Sequence, residues 1–406
     1  MALKKGLGES YTPMYFLASL GSGGMAVSFF IYLMFMVDHP NTPLATFDFI
    51  YPVLTGGNIA ISALVLLVLA LILVFAYLHF RLLVWNIKEY SAFRRTEDYN
   101  KLRESDSGVV LMAEPLTYAM TVNVSFVLGA VFVPRLWTIV EFMFPGAIAA
   151  FLIIGGYALR IFVGYFGRTI MKGNYSFEKN NSLSQMLGVF AFSMVAVGLA
   201  APAAMSHIKL TSAIGMFFSV FFLVLAISLA IVKMTLGMYS IFRYGISKEA
   251  SPSLWIAIPI ITLMGITMVR LTMALHHNYD VPLNPVFLYV ASSSLISLQI
   301  VFGIVGYSVM KRIGYFRDYV YGSEKSPGAF ALVCPGVAIV VFGMFFIYYG
   351  LYQNGIVDRF SIPYFLIIAP LTFIQIKTAM IVFRLNRKLI SDQGGLNKAG
   401  KLGYTQ

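Results

Sequence analysis

The sequence predicts an all-α integral membrane protein, with ten transmembrane helices arranged as five helical hairpins around a central pore. Three observations carry this: the composition, ten separate apolar runs, and the alternation of basic charge between them. Of the 406 residues, 59% are hydrophobic and 11% charged, and the mean hydropathy is +0.81. A soluble domain carries about 45–50% apolar and about 25% charged residues. The composition therefore excludes a purely soluble enzyme, a disordered protein and a nucleic-acid module. The single cysteine excludes an intrachain disulfide framework.

Runs long enough to cross a bilayer, about 20 residues each, lie at 14–36, 58–80, 115–133, 142–164 and 183–205, and again at 212–234, 253–275, 285–309, 329–350 and 362–383. Lys4 and Lys5 precede the first run, which is long enough to span and lacks a clear cleavage site, so it is read as a retained span. The connections 81–114, 165–182, 235–252 and 310–328 hold Arg81, Lys88, Arg94, Arg95, Lys101, Arg103, Arg168, Lys172, Lys179, Arg243, Lys248, Lys311, Arg312, Arg317 and Lys325. The opposite connections hold only Arg135, Lys209 and Arg359. The positive-inside rule makes the first set cytoplasmic and places both termini inside, as an even number of spans requires. The net charge of +12 thus sets topology, and no nucleic-acid partner is expected. The expected layout is a cytoplasmic N-terminus (1–12), a ten-helix domain (13–384) with a charged cytoplasmic loop at 85–112, and a short, polar, mobile tail (385–406).

The odd-numbered runs begin alike, at Thr12-Pro13, Glu114-Pro115, Ser251-Pro252 and Ser326-Pro327, with Asn181-Ser182 as the proline-free case. A capping residue before proline is a helix start, because proline's missing N–H is unpaired there in any case. The starts at 182, 252 and 327 are 70 and 75 residues apart, or two spans plus loops, which gives hairpins rising on odd runs and returning on even ones. About two turns inside the odd runs stand Gly21 (followed by Ser22, Gly23 and Gly24), Asn123, Pro259 and Pro335. One reading is interrupted helices lining a wet cavity. The other is packing, since glycine permits close helix approach and proline is common in membrane helices.

Odd helices around a common axis would point five N-termini, each with a partial positive charge, into one mouth that favours anions. Ser22, Thr121, Asn123, Ser125, Ser193, Thr262 and Thr267 suit such a lining, although even runs also hold Ser292, Ser293, Ser294, Ser297 and Gln299, which fit interhelical hydrogen bonding. Arg270 stands about 25 Å from the inner end by helical rise. It is read either as snorkelling to outer headgroups or as an anion attractor facing the pore. Lys233 and Lys377 are read as snorkelling, and the methionines and phenylalanines as apolar filling and lipid contact. His276-His277 with Asp280 is a weak metal spacing, and neither metal nor cofactor is expected. With no phosphate loop, no paired intramembrane carboxylates and no nucleophile–base set, no enzyme is expected.

Phe16 through Gly24 in the first run, Ser251-Pro252-Ser253-Leu254-Trp255 with Pro259 in the seventh, and Ser326 through Gly336 in the ninth resemble the tellurite-resistance/dicarboxylate transporter family. That family includes the plant slow-type guard-cell anion channels and bacterial tellurite-resistance permeases. The resemblance covers roughly 12–385 and rests on short motifs. It implies a homotrimer in which each protomer has its own pore, lined by five odd helices kinked near mid-membrane and gated by a phenylalanine beside the ninth-helix kink. Cys334 stands directly before Pro335 here, with Phe330 one turn earlier and Phe190 or Phe192 in the fifth run as substitutes for that gate. The expected function is passage of small inorganic or organic anions across the plasma (inner) membrane. A proton-coupled carrier or efflux permease for C4-dicarboxylate or sulfite-like anions is the alternative. A membrane anchor subunit docking partners through 85–112 comes third.

Overall fold

The computed structural model describes residues 2–173, 176–178 and 180–392. Among these, ten helices are long and apolar enough to cross a membrane, as a multi-pass membrane protein requires. In chain order they are Pro13–Met36, Ile59–Phe93, Asp106–Phe132, Val140–Lys172, Leu183–Met205, Lys209–Tyr244, Ser251–Tyr279, Pro285–Arg312, Pro327–Tyr352 and Ile362–Ile390, called here the first to tenth spans.

Burial separates these spans into two classes. The most apolar stretches of the odd spans are 89, 50, 94, 67 and 72% buried in chain order, against 22, 28, 22, 17 and 22% for the even ones. Side-chain size is one reason. The fifth span, with Gly188, Ala191, Ser193, Ala196, Gly198, Ala200 and Ala203, lets neighbours approach on every side. The sixth presents Phe217, Val220, Phe221, Val224 and Ile231 outward, where lipid chains solvate them. The odd spans contact one another in cyclic order (first, third, fifth, seventh, ninth and back to the first), and each also packs on the even span that follows it.

Glycines set the closest of these approaches. A Cβ on Gly21 would lie 2.7 Å from Val333 Cγ1, and one on Gly24 would lie 3.1 Å from Val337 Cγ1, so one face of the first span seats directly on the ninth. A Cβ on Gly23 would meet His79 Nδ1 at 2.7 Å. That buried histidine ties three spans together: Nδ1 is 2.9 Å from the Ser19 carbonyl and Nε2 is 3.0 Å from Thr121 Oγ1.

The starts of the odd spans differ from the expectation in an orderly way. Each opens as a 3-10 segment and becomes α-helical at Phe16, Ala113, Leu187, Ala257 or Val333. Thr12, Ser105, Ser182 and Ser326 cap the first, third, fifth and ninth, each side chain accepting a backbone N–H two residues on. The third span therefore begins at Asp106, before Glu114-Pro115. Pro115, Pro259 and Pro335 are each the third residue of an α segment. An N–H in a first turn has no intrahelical α partner, so proline there costs little. The expected interior kinks at Pro259 and Pro335 are thus junctions between 3-10 and α geometry.

Two boundaries also move. The charged segment 85–112 is helical, being the end of the second span, a short helix Glu97–Glu104 and the 3-10 start Asp106–Met112. Its amphipathic residues explain this, since Trp85, Tyr90, Phe93, Val109 and Leu111 are buried while Arg95, Lys101 and Arg103 are exposed. Residues 386–392, placed in the tail, are docked. Leu389 and Ile390 are buried, Lys4 N–H donates to the Ile390 carbonyl at 2.9 Å, and Asp392 N–H donates to Ala2 at 3.0 Å. The apolar pair Leu389-Ile390 extends the buried stripe one turn past Arg384. The rest of the expected tail, from 393, lies outside the described residues.

Candidate functional site

Two cavities lie end to end among the odd spans. The one nearer the span starts has a volume of about 350 Å³ and is lined by Thr12, Val110, Ser184, Pro252, Ser253, Ser326 and Pro327, so the starts of all five odd spans surround it. The first turns of these segments lack α-helical partners for their N–H groups, and those of Met14, Ser107, Ser184 and Gly328 are taken by the capping side chains. The exposed Glu249 is its one charged lining residue.

The second cavity, about 160 Å³, lies deeper and is again lined by all five odd spans, with Phe144 and Phe151 added from the fourth. Its wall is apolar, with six phenylalanines (Phe30, Phe126, Phe144, Phe151, Phe190 and Phe345) and four methionines. Asn123 and Thr262 are the polar exceptions, and Arg270 is the one charged residue. Phe190, Pro259 and Cys334 line both cavities and therefore stand between them. Three different odd spans supply this constriction.

Arg270 sits eleven residues beyond Pro259 on the seventh span, roughly 16 Å further along the axis by helical rise. Its Nη1 donates to the Val197 carbonyl at 2.8 Å, in the last turns of the fifth span, and none of the ion pairs among the described residues involves it. The guanidinium carries five N–H groups, which suits bidentate contact with a planar carboxylate or nitrate. Thr262 donates to the Ala338 carbonyl at 3.0 Å and accepts from Gln299 Nε2 at 2.7 Å, so its oxygen is held by the ninth and eighth spans. Asn123 Nδ2 reaches Met194 Sδ at 3.5 Å, a weak contact that leaves most of its amide free for the cavity.

The structure brings together Gly21, Asn123, Phe190, Pro259, Thr262, Arg270 and Cys334 of the residues expected from sequence. Three lie apart from both cavities. Ser22 donates to Ala18 within its own helix, Phe330 is packed at 1% exposure, and Pro335 is buried and lines neither cavity. Of the other polar candidates, Thr267 bonds within its helix, Ser125 is exposed, and Ser193 Oγ is buried with no partner. On the even spans Gln299 bonds between helices, whereas Ser292, Ser294 and Ser297 donate to their own backbone. Lys377 is exposed near the Phe373 ring, while Lys233 is buried with its ammonium over Tyr165 and Phe166, at 5.5 and 5.6 Å.

Two polar groupings escaped sequence reasoning. Glu114, expected from sequence as the capping residue before Pro115, is buried and accepts from Tyr118 at 3.0 Å and Tyr157 at 2.6 Å. At the opposite end His277 Nε2 meets His207 Nδ1 at 2.9 Å, whereas His276 turns to the Val281 carbonyl. Among the described residues no three His, Cys, Asp or Glu side chains converge as metal ligands. Comparison of the chain with protein-family models, with curated proteins and with solved structures returned no match.

Proposed function

We propose that the chain passes small anions across a membrane along the axis enclosed by the odd spans. The observation that carries this reading is the meeting of two cavities at Phe190, Pro259 and Cys334, with helix starts around one cavity and Arg270 in the other. Positive helix ends attract anions to the first cavity, and a guanidinium without a carboxylate partner attracts them to the second. The burial contrast, and the packing of each odd span on the even one that follows it, support a hairpin order. By the positive-inside rule the span starts face the cytoplasm, and in this reading the membrane is the plasma (inner) membrane. The resemblance to the tellurite-resistance/dicarboxylate transporter family supports the same reading and adds a homotrimer with one pathway per protomer.

Passive flow would be driven by the membrane potential, about 2.3 kcal/mol per charge per 100 mV, and in a cell with a negative interior it runs outward. Proton-coupled carriage of C4-dicarboxylates is the second reading. Against it, neither cavity places a histidine, aspartate or glutamate beyond the constriction. Purified protein in liposomes under an imposed potential, without a pH gradient, tests this with chloride, nitrate and malate. Current carried by small anions supports passive conduction, and malate uptake only after a proton gradient is added replaces it with the carrier.

A further inference from the structure

We infer that the deeper cavity is a binding site for a monovalent carboxylate with a ring-sized apolar body, its carboxylate on Arg270 and its body among the phenylalanines. This rests on the reading of that cavity as part of the anion path and names the ligand class it selects. Water and strongly hydrated ions need several polar partners, and this wall offers Asn123, Thr262 and Arg270 against an otherwise apolar lining. A small inorganic anion would give up its hydration for one guanidinium and leave the aromatic walls unused. A dicarboxylate would place a second negative charge among phenylalanine and methionine with nothing to pair it, the costliest kind of burial.

A monocarboxylate with an apolar body satisfies both halves of the site. The guanidinium binds the carboxylate through charge-assisted hydrogen bonds, and the body leaves bulk water for contact with Phe126, Phe144, Phe151 and Phe345. The size agrees, because an apolar protein cavity of about 150 Å³ holds one benzene ring and this one is about 160 Å³. The arrangement is also directional. Arg270 lies toward the end of the seventh span, and Phe190 closes the other side, so the carboxylate end and the apolar end are fixed by the wall.

Benzoate is the probe, measured by titration calorimetry and by thermal unfolding of the purified protein, with benzamide, malate and chloride as comparators. Benzoate should bind and raise the unfolding temperature, malate should bind at least about a hundredfold more weakly, and Arg270→Gln should weaken benzoate by at least about tenfold. Should Arg270→Gln fail to fold, Ala201→Phe adds a ring to the cavity wall, keeps the guanidinium, and should abolish benzoate binding. Benzamide binding as well as benzoate, malate binding better, or either variant binding benzoate like the parent would each overturn the inference. Nitrate flux in liposomes reads conduction separately. Flux without benzoate binding overturns the ligand class alone, whereas benzoate binding without flux of any anion overturns conduction and keeps the ligand class.

Discussion

Replacing Phe190 with alanine should open the path between the two cavities. Phe190 is 5% exposed, and with Pro259 and Cys334 it separates spaces of about 160 and 350 Å³. It is the largest of the three side chains and the only aromatic one. In a closed core Phe→Ala costs about 3–5 kcal/mol. Here the ring borders cavity on two sides, so fewer contacts are lost and the cost should be about 3 kcal/mol or less. An anion crossing an apolar constriction sheds water there, and widening it should lower the barrier by at least about 1.4 kcal/mol, a tenfold rise in flux. Cys334→Phe should do the reverse, placing a second ring at the same gap and cutting flux at least about tenfold. Because both residues border one gap, the double variant should lie between the singles and depart from additivity. The assay is nitrate flux in liposomes under an imposed potential, with a melting curve for each variant. Folded Phe190→Ala and Cys334→Phe proteins that both conduct like the parent would refute this placement of the constriction.

Four further outcomes follow from the same structure. Glu249→Gln removes the carboxylate lining the cavity at the span starts and should raise anion flux at low ionic strength, with the difference shrinking as salt rises past about 0.1 M. Glu114→Leu leaves the Tyr118 and Tyr157 hydroxyls without their acceptor and should destabilise the protein by about 2–4 kcal/mol, read by thermal unfolding in detergent. Gly336→Ala puts a Cβ 2.0 Å from Thr378 Oγ1, on a stiff β-branched side chain, and should cost about 1–3 kcal/mol by forcing the ninth and tenth spans apart. Asp318, outside the spans, is held at about 2 by hydrogen bonds from Arg317 and Lys248. A depressed carboxylate contributes stability above its unfolded value near 3.8 that is lost as pH falls toward 2. Protection factors in 313–322, taken relative to the intrinsic exchange rate at each pH, should therefore fall over that window and stay level from pH 5 to 7.

The ten spans, and the capped starts of the first, fifth and ninth, were legible because they rest on local chemistry, namely length of apolar run and a capping hydroxyl. Which face of an odd span meets the cavity was not. Phe190 and Phe192 are two residues apart on the fifth span, yet Phe190 borders both cavities while Phe192 packs on Phe162 and Phe222, with ring centroids 5.5 and 6.1 Å away. A helix that is apolar all round carries no stripe by which its faces could be told apart. The junctions before Pro259 and Pro335 were hidden for a related reason. Proline marks a break in a helix, but whether it falls inside an α segment or in its first turn depends on where the preceding 3-10 turns end. Glu114 was misjudged because Tyr157, its nearer partner, is 43 residues away in sequence.

The cyclic order of the odd spans has a consequence for how the chain reaches this state. The ring closes only when the ninth span seats on the glycines of the first, more than 300 residues upstream. Until then neither cavity has a complete wall, and Arg270, Thr262 and Asn123 face whatever surrounds a half-built protein. Assembly is thus ordered by a late, long-range contact of the kind that slows folding and leaves intermediates exposed. Lesions at Gly21, Gly24, Val333 or Val337 should therefore show themselves in the yield of inserted protein before they show in the properties of the protein that survives.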